Sequence, residues 1–369
     1  MVIKRLLILN FKFAIALILI IPLLSSASIF SERMKKPDTY FLQKSITDLT
    51  SPHLLKKNLN EFLLKTFPGR SYRMAGHQKL EDFFAEFELE NEIKFQRQVF
   101  TPNSKWAQEN LRREFDEKVA KNFPRTSPVY KKWERFLKEL DGEYDSIQKN
   151  KFTNYIYLKN GTSNLKTLII SANIDSIGQD PKSKKILHNG YFFGANDNAS
   201  SIISLLELIK VINKIDLPFN VMAVFFDLQE FGNLGSYAFV SEYLKSGGNA
   251  NYIHVNSLML SKLNSSKEKK QFKLFGKSNP AFNPNFVDKV STLVAEAKII
   301  RVEENYAGSD SGPFHDYSIP SLTLMGLTDD DQGEVIHQVS DSVESIDFYH
   351  YNLGTKVLFS LVLNLLYPL

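Results

Sequence analysis

The chain has no cysteine among its 369 residues and only 7 histidines. The lack of cysteine excludes disulfide bonds, thiolate zinc sites and a cysteine nucleophile, so any metal ion must be held by histidine and carboxylate side chains. Charge of one sign is also scarce, because 45 basic and 41 acidic residues leave a net charge of +4. We therefore expect no nucleic-acid partner. The sequence contains neither a Gly-x-x-x-x-Gly-Lys phosphate loop nor a Gly-x-Ser-x-Gly elbow.

Residues 1–27 have the pattern of an export signal. They contain three basic residues and no acid, then the apolar run Phe13–Leu24, and they end in small residues that offer a cleavage site after Ala27. The run is shorter than the ~20 apolar residues of a membrane span. Residues 6–24 together could nevertheless form an uncleaved anchor. We expect residues 28–369 to be exported, either periplasmic, secreted or membrane-anchored, and only this N-terminal segment to contact a membrane.

Residues 105–150 differ in composition from the rest of the chain. Twenty of these 46 residues are charged, against 23% of the whole sequence, and Pro124 and Pro128 divide them. This pattern predicts an insertion of two charged helices joined by a proline-containing turn. Two interpretations are open, namely a solvated surface insertion and a docking surface for a partner.

From residue 151 onwards, short apolar strands alternate with amphipathic helices. The predicted strands are Thr167–Ser171, Asn220–Phe226, Tyr252–Leu260 and Ser321–Met325, after an edge strand that ends near Phe100. The predicted helices are Ser200–Lys214 and the closing segment Val343–Leu366. We therefore expect an α/β fold, with a doubly wound, mostly parallel sheet that has helices on both faces. Residues 28–369 would form this one domain, including the insertion 105–150.

Polar residues gather just after the predicted strands, at the edge of the sheet where functional groups collect in such folds. The segments concerned are Ser171–Ser176, Gly194–Ser200, Asp227–Ser236, Ser309–Phe314 and His337–Ser342. Each segment has an ordinary explanation when it is taken alone. Asp197, for example, is well placed to cap a helix. Their order along the chain is more informative than any single one.

In this order the segments resemble the co-catalytic zinc aminopeptidase family, which includes bacterial leucyl aminopeptidases, glutaminyl-peptide cyclotransferases and transferrin-receptor-like domains. The resemblance covers about Leu55 to Leu369 and rests on several motifs. They are Arg70 with Gly76, the string Gly194–Ser200, the turn Glu230–Ser236, Ser309–Phe314 with Ile319-Pro320, and His337 with Asp341. The insertion 105–150 is not typical of the family.

The resemblance implies a zinc site and names its ligands. Members hold two zinc ions that share one carboxylate, and the cyclotransferases hold a single ion. By position, Asp197 corresponds to the shared carboxylate, while Glu230 and His337 correspond to the other ligands of one metal. These three side chains would form one tetrahedral site with an open fourth position. Asp175 and Asp341 correspond to residues that support the ligands from behind.

The same resemblance predicts that the second zinc site and the general base are lost. Asn173 replaces a histidine ligand, and Leu258 stands where a carboxylate ligand is expected. Gln229 replaces the glutamate that removes a proton from the attacking water, and an amide cannot do this at neutral pH. Loss of a general base typically lowers the rate by a factor on the order of 10²–10⁴. Asp310 is retained and is a candidate proton relay. We expect one zinc ion and not two.

Three functions are therefore open from the sequence. The first is an exported family member with little or no catalysis, which binds a peptide or a protein N-terminus in the old cleft or through the insertion. The second is a one-zinc hydrolase or acyl transferase, either a weak aminopeptidase or a glutaminyl-cyclotransferase-like enzyme. It would use Asp197, Glu230 and His337. The third is a purely structural, membrane-tethered protein.

Overall fold

The computed structural model describes residues 47, 50–177, 192–245, 251–262, 270–282, 285–306, 308–326, 337 and 340–367. Backbone contacts separate Met1–Lys44 from a compact unit, Ser45–Leu369. The predicted export signal or anchor lies outside the described residues. Within the described part of the chain, no helix combines the length and the hydropathy needed to cross a bilayer.

The described elements alternate along the chain. The strands are β1 (Phe95–Phe100), β2 (Phe152–Lys159), β3 (Ser163–Asn173), β4 (Phe219–Phe226), β5 (Asn251–Leu258), β6 (Gln271–Phe275), β7 (Lys298–Val302) and β8 (Ser321–Met325). The helices are α1 (Pro52–Lys65), α2 (Ala75–Gln78), α3 (Leu80–Asn91), α4 (Ser104–Glu114), α5 (Pro128–Ile147), α6 (Ser201–Ile212), α7 (Leu234–Ala238), α8 (Phe286–Leu293), α9 (Ser311–Asp316) and α10 (Phe348–Leu366).

The eight strands form one sheet in the order β1-β2-β4-β3-β5-β8-β6-β7. The four central strands β4, β3, β5 and β8 run parallel, whereas β1, β2 and β4 pair antiparallel at one side, and β6 pairs antiparallel with β8. Helices flank the sheet, so the predicted α/β fold with a mostly parallel sheet is confirmed. The carboxyl ends of β3, β4 and β5 lie side by side and carry the predicted polar segments.

Burial explains why the central strands could be predicted. The last seven residues of β3 and the last six of β5 are all buried, as expected for strands that are covered on both faces. Helix α6 is buried along nearly its whole length, and α10 packs against α1, α6 and α8. The core therefore lies between the central strands and these long apolar helices.

The insertion has the predicted two-helix form, and part of it is buried. Asn103 and Ser127 cap α4 and α5 through their side chains, and Pro128 occupies the first turn of α5. A π-helical turn, Phe115–Ala120, follows α4. The inner face of the insertion belongs to a buried cluster that includes Ala107, Leu140, Tyr144 and Ile147. The expectation of a solvated insertion is therefore correct only for its outer face.

Several boundaries differ from the prediction, and β3 extends beyond the predicted Thr167–Ser171 at both ends. Strand β5 ends at Leu258, two residues before the predicted end. Helix α10 begins only at Phe348, because the Asp347 side chain accepts hydrogen bonds from the backbone of the next turn and caps the helix there. A separate 3₁₀ turn, Val343–Ser345, precedes it. Strands β2, β6 and β7 were not predicted.

Candidate metal site

Three side chains converge at the carboxyl edge of the sheet. Asp197, Glu230 and His337 each offer a ligand atom, and these atoms all lie within 4.8 Å of one another. His337 Nε2 lies 3.0 Å from Glu230 Oε2 and 3.7 Å from Asp197 Oδ2. The two carboxylates are 9% and 6% exposed, whereas the histidine side chain is 44% exposed. The structure thus brings together the three residues that we predicted as zinc ligands from the sequence.

The protonation of this group reflects the crowding of its charges. Burial, together with the charge of Glu230, raises the pKa of Asp197 to about 8. Burial opposes the charged form of His337, but Glu230 and Asp197 outweigh it and raise the pKa of the imidazole to about 9. Two oxygen ligands and one nitrogen ligand suit zinc, and a divalent cation would relieve the repulsion between the carboxylates.

Asp197 is held by its own loop and by Asp341. The Asp341 carboxylate accepts hydrogen bonds from the backbone N–H of Asn196 at 2.7 Å and of Asp197 at 3.0 Å. Gly194 has φ +59, and a Cβ there would lie 2.1 Å from the Asp197 carbonyl oxygen, so only glycine fits this turn. The peptide bond between Asp197 and Asn198 is cis. These contacts place Asp341 against the backbone of the Asp197 loop.

Glu230 is held by a tight turn after β4 and by Asp175. The two Asp175 oxygens accept hydrogen bonds from the backbone N–H of Gln229 at 3.1 Å and of Glu230 at 3.0 Å. Leu228 and Asn233 flank the turn, and both have φ +59. A left-handed conformation is costly for a bulky residue such as leucine, so the surrounding contacts must hold this turn in place.

Arg70 links the Asp197 loop to the segment after β3 that carries Asp175, a role that the sequence did not reveal. This residue is completely buried, and its guanidinium donates to the carbonyl oxygens of Ile174 at 2.9 Å, Phe193 at 2.7 Å and Gly194 at 2.9 Å. Burial lowers the pKa of Arg70 to about 10, although four nearby acids favour its charged form. Those acids are Asp341, Asp175, Asp197 and Glu230. A buried cation therefore offsets part of the negative charge at the site.

The positions of the expected second metal offer no free ligand. Asn173 Oδ1 accepts a hydrogen bond from Asn198 Nδ2 at 2.7 Å, and Asn173 Nδ2 donates to Asp175 Oδ1 at 3.3 Å. Leu258 is apolar and 3% exposed. His254 lies within β5, where its two ring nitrogens contact Ser171 Oγ and Ser321 Oγ, both at 2.7 Å. Both ring nitrogens are therefore already engaged by serine hydroxyls inside the sheet.

Gln229 and Asp310 complete the predicted set, but they have different surroundings. Gln229 Nε2 donates to the carbonyl oxygen of Gly308 at 3.0 Å, so its amide is tied to the loop before α9. Asp310 is buried, and among the described residues neither of its oxygens has a hydrogen-bond partner of good geometry. Burial raises the pKa of Asp310 to about 7, an effect that the nearby Ser236 hydroxyl opposes and Glu230 reinforces.

A cavity of about 210 Å³ opens beside the three converging side chains. Gln229 and Gly308 lie along one side of it, and residues of the insertion lie along another. A group held at the open face of the triad would therefore extend into this cavity.

The chain matches a known family and is similar to several solved structures. A family model described as Peptidase family M28 matches residues 154–359. Among solved structures, the LapA aminopeptidase of Legionella pneumophila is similar, with a TM-score of 0.60 and 13% identity over 90% of this chain and 76% of that one. BSAP, a zinc aminopeptidase from Bacillus subtilis, has a TM-score of 0.59 and 15% identity, with coverage of 85% and 94%.

A glutaminyl cyclase is also among the similar structures. The Bacteroides thetaiotaomicron enzyme bound to N-acetylhistamine has a TM-score of 0.57 and 15% identity, with coverage of 86% of this chain and 97% of that one. No curated protein matches the chain. The structural similarities establish the fold, whereas the family model spans more than half of the sequence and includes all three converging side chains. The chain belongs to peptidase family M28.

Proposed function

We propose that this protein binds one zinc ion through Asp197, Glu230 and His337 and recognises a peptide N-terminus in the adjoining cavity, with little or no hydrolysis. The convergence of the three ligand atoms within 4.8 Å carries the first part of the proposal. Bound zinc would polarise a carbonyl group and lower the pKa of water. The aminopeptidases among the similar structures support a peptide as the ligand.

The surroundings of Gln229 support the loss of catalysis. Its amide group donates to Gly308 and has no basic atom, so it cannot remove a proton from an attacking water. The engaged amide of Asn173 and the apolar side chain of Leu258 support a single metal ion. The chain therefore retains side chains that can bind a polar group, and it lacks the side chain that would remove a proton from water.

The proposal includes export, with residues 28–369 acting outside the cytoplasm. Its support is the sequence of the N-terminal segment, with its basic start, its apolar run and its small residues before the cleavage point. The ligand would then be an extracellular or periplasmic peptide or protein terminus.

One observation favours a second candidate, a one-zinc hydrolase or cyclotransferase. Asp310 is buried without a good hydrogen-bond partner among the described residues, and its pKa of about 7 suits a group that exchanges protons at neutral pH. In that case Asp310 would carry the proton in place of Gln229. The similar glutaminyl cyclase structures are consistent with this alternative.

The substitution Gln229→Glu tests the proposal. It would return a carboxylate to the position of the base and break the bond to Gly308, since a carboxylate cannot donate a hydrogen bond. We expect aminopeptidase activity of the zinc-loaded protein to rise by about tenfold or more, because general bases contribute at least this much. Gln148→Glu, at an exposed position on the insertion, is the matched control.

The outcomes separate the two candidates. Wild-type protein that binds zinc and peptide but does not turn it over, together with a gain in Gln229→Glu, supports the proposal. Wild-type turnover that disappears with EDTA and in Asp310→Asn would instead establish the one-zinc enzyme. Absence of bound zinc in the wild-type protein would remove both.

A further inference from the structure

The helical insertion contributes directly to the cavity beside the candidate zinc site. Leu111 of α4, together with Phe136 and Leu140 of α5, lines the same space as the three converging side chains. Leu258 and Met259, at the end of β5, line it as well. One end of the cavity is therefore polar and suited to a metal ion, and much of the remainder is apolar.

The insertion is attached firmly to the turn that carries Glu230. Tyr144 of α5 donates a hydrogen bond to the carbonyl oxygen of Phe231 at 3.0 Å. Gly232 has φ +94, and a Cβ there would lie 3.0 Å from both Ala107 Cβ and the Tyr144 hydroxyl. Because no side chain fits between them, the two helices pack directly on the backbone of this turn.

Further contacts fix the insertion at both of its helices. Trp106 of α4 stacks on Tyr237, with ring centroids 4.4 Å apart. Glu143 of α5 accepts a hydrogen bond from the Tyr72 hydroxyl at 2.7 Å and forms an ion pair with Arg73. With contacts on both helices, the insertion forms a fixed wall of the cavity.

Residues at the end of β5 form another part of the cavity lining. Leu258 and Met259 form a buried apolar cluster with Phe275 and Met325, and Tyr306 packs against it. A carboxylate at position 258 would face the cavity with a charge, whereas leucine presents methyl groups. The apolar lining of the cavity therefore comes from both the insertion and the end of β5.

We propose that the two-helix insertion determines the specificity of the site. Leu111, Phe136 and Leu140, together with Leu258 and Met259, form a subsite for one apolar side chain of a peptide whose terminal polar groups lie at the zinc triad. This inference rests on the proposed function. A charged side chain in this position would lose its hydration without gaining an ionic partner from these five residues, so it would be disfavoured.

Peptide binding to the zinc-loaded full chain tests the inference, with zinc content measured separately. The probes are tripeptides that begin with Leu, Phe, Lys or Glu and continue with two Ala, titrated by calorimetry. We expect the Leu and Phe peptides to bind on the order of tenfold or more tightly than the Lys and Glu peptides, from the apolar area that they bury. Leu111→Ala and Phe136→Ala should each weaken the apolar peptides several-fold.

Two further variants make the result independent of general folding defects. Leu111→Glu should shift the preference toward the Lys peptide by reversing the chemistry of the wall. Val129→Ala changes an apolar residue of α5 that is 40% exposed and lies outside the cavity lining, so it should leave all affinities unchanged.

The failure of this inference differs from the failure of the proposed function. If zinc and peptides bind but Leu111→Ala, Phe136→Ala and Leu111→Glu leave the preference of the wild-type protein intact, the insertion does not set specificity and the proposed function stands. If no tripeptide binds the zinc-loaded protein, both are overturned. If zinc itself does not bind, the proposed function is contradicted, and the proposed subsite is contradicted as well.

Discussion

Two halves of one cleft differ in chemistry although neighbouring strands carry them. In the ligand half, Asp197, Glu230 and His337 converge, and their ligand atoms lie within 4.8 Å of one another. The other half contains Asn173, Gln229 and Leu258, and we call it the substituted half after the replacements predicted there from the sequence. Its two amides are engaged by hydrogen bonds to the protein, and its third side chain is apolar. The ligand half has ligand atoms available for a metal ion. In the substituted half, the two amides are already hydrogen-bonded and the leucine side chain has no ligand atom.

Buried residues position the backbone of the cleft, and we call Asp175, Asp341 and Arg70 the frame. These residues are distinct from the side chains that offer metal ligands. Asp175 still holds the Glu230 turn, and Asp341 still holds the Asp197 loop. Arg70 still joins the segments on which both halves depend. Buried charged side chains therefore hold the backbone that positions the ligand half.

The largest expected effect comes from removing a ligand. Glu230→Gln should lower zinc affinity by roughly 100-fold or more, because even residues that only support ligands contribute 10- to 100-fold. Zinc affinity is measured by competition with a chelator. Glu90→Gln, at an exposed position on α3, is the control and should bind zinc like the wild-type protein. Equal affinity in the two variants would show that the ligand half does not hold the metal.

We expect substitutions in the frame to lower the free energy of unfolding more than substitutions elsewhere in the fold. Arg70→Met removes a buried cation from among four acids, and we expect it to lower the free energy of unfolding by about 3–5 kcal/mol, the usual cost of breaking a buried ionic network. Urea unfolding in the presence of EDTA measures this change without metal. A loss no greater than that of Arg125→Met, which alters an exposed position of the insertion, would show that Arg70 does not support the cleft.

Asp310 should make stability depend on pH. Its pKa is raised from 3.8 to about 7 by burial, so the folded protein favours the protonated carboxyl, and the stability that this group contributes is lost as pH rises between these values. Asp310→Asn should therefore gain stability relative to the wild-type protein over this range, on the order of 2–4 kcal/mol.

Urea unfolding of the metal-free protein at several pH values checks this prediction. Asp288→Asn, at an exposed position on α8, serves as the control and should show no such trend. A difference between Asp310→Asn and the wild-type protein that stays constant with pH would mean that Asp310 is ionised throughout, and the alternative enzyme would lose its proton relay.

Much of the fold could be predicted because the central strands are buried on both faces. Such strands appear in the sequence as continuous apolar runs, and Ser321–Met325 was predicted with the bounds that β8 has. Strands β6 and β7 gave no comparable signal. Both are five residues long and lie at the far side of the sheet, and β7 is only half-buried. Their pairing depends on distant parts of the chain, which a local pattern does not reveal.

In the candidate site, too, local sequence patterns could be recognised, whereas contacts between residues far apart in sequence could not. The three residues of the ligand half were found because each lies in a short motif whose order resembles the family. The bond from Gln229 to Gly308 and the contacts of Arg70 to Ile174 and Gly194 join residues far apart in sequence, and they depend on the packed structure. The contribution of the insertion to the cavity lining was not predicted, for a related reason. Its charged outer face dominates the composition, while its apolar inner face lines the cavity.

The central claim is that the ligand half holds one metal ion and the substituted half holds none. Zinc content per chain, measured by elemental analysis on protein that has been saturated with zinc and then dialysed, tests it most directly. We predict one zinc ion per chain in the wild-type protein and in Asn173→Ala, and none in His337→Ala. Two zinc ions in the wild-type protein, or zinc retained in His337→Ala, would contradict the account.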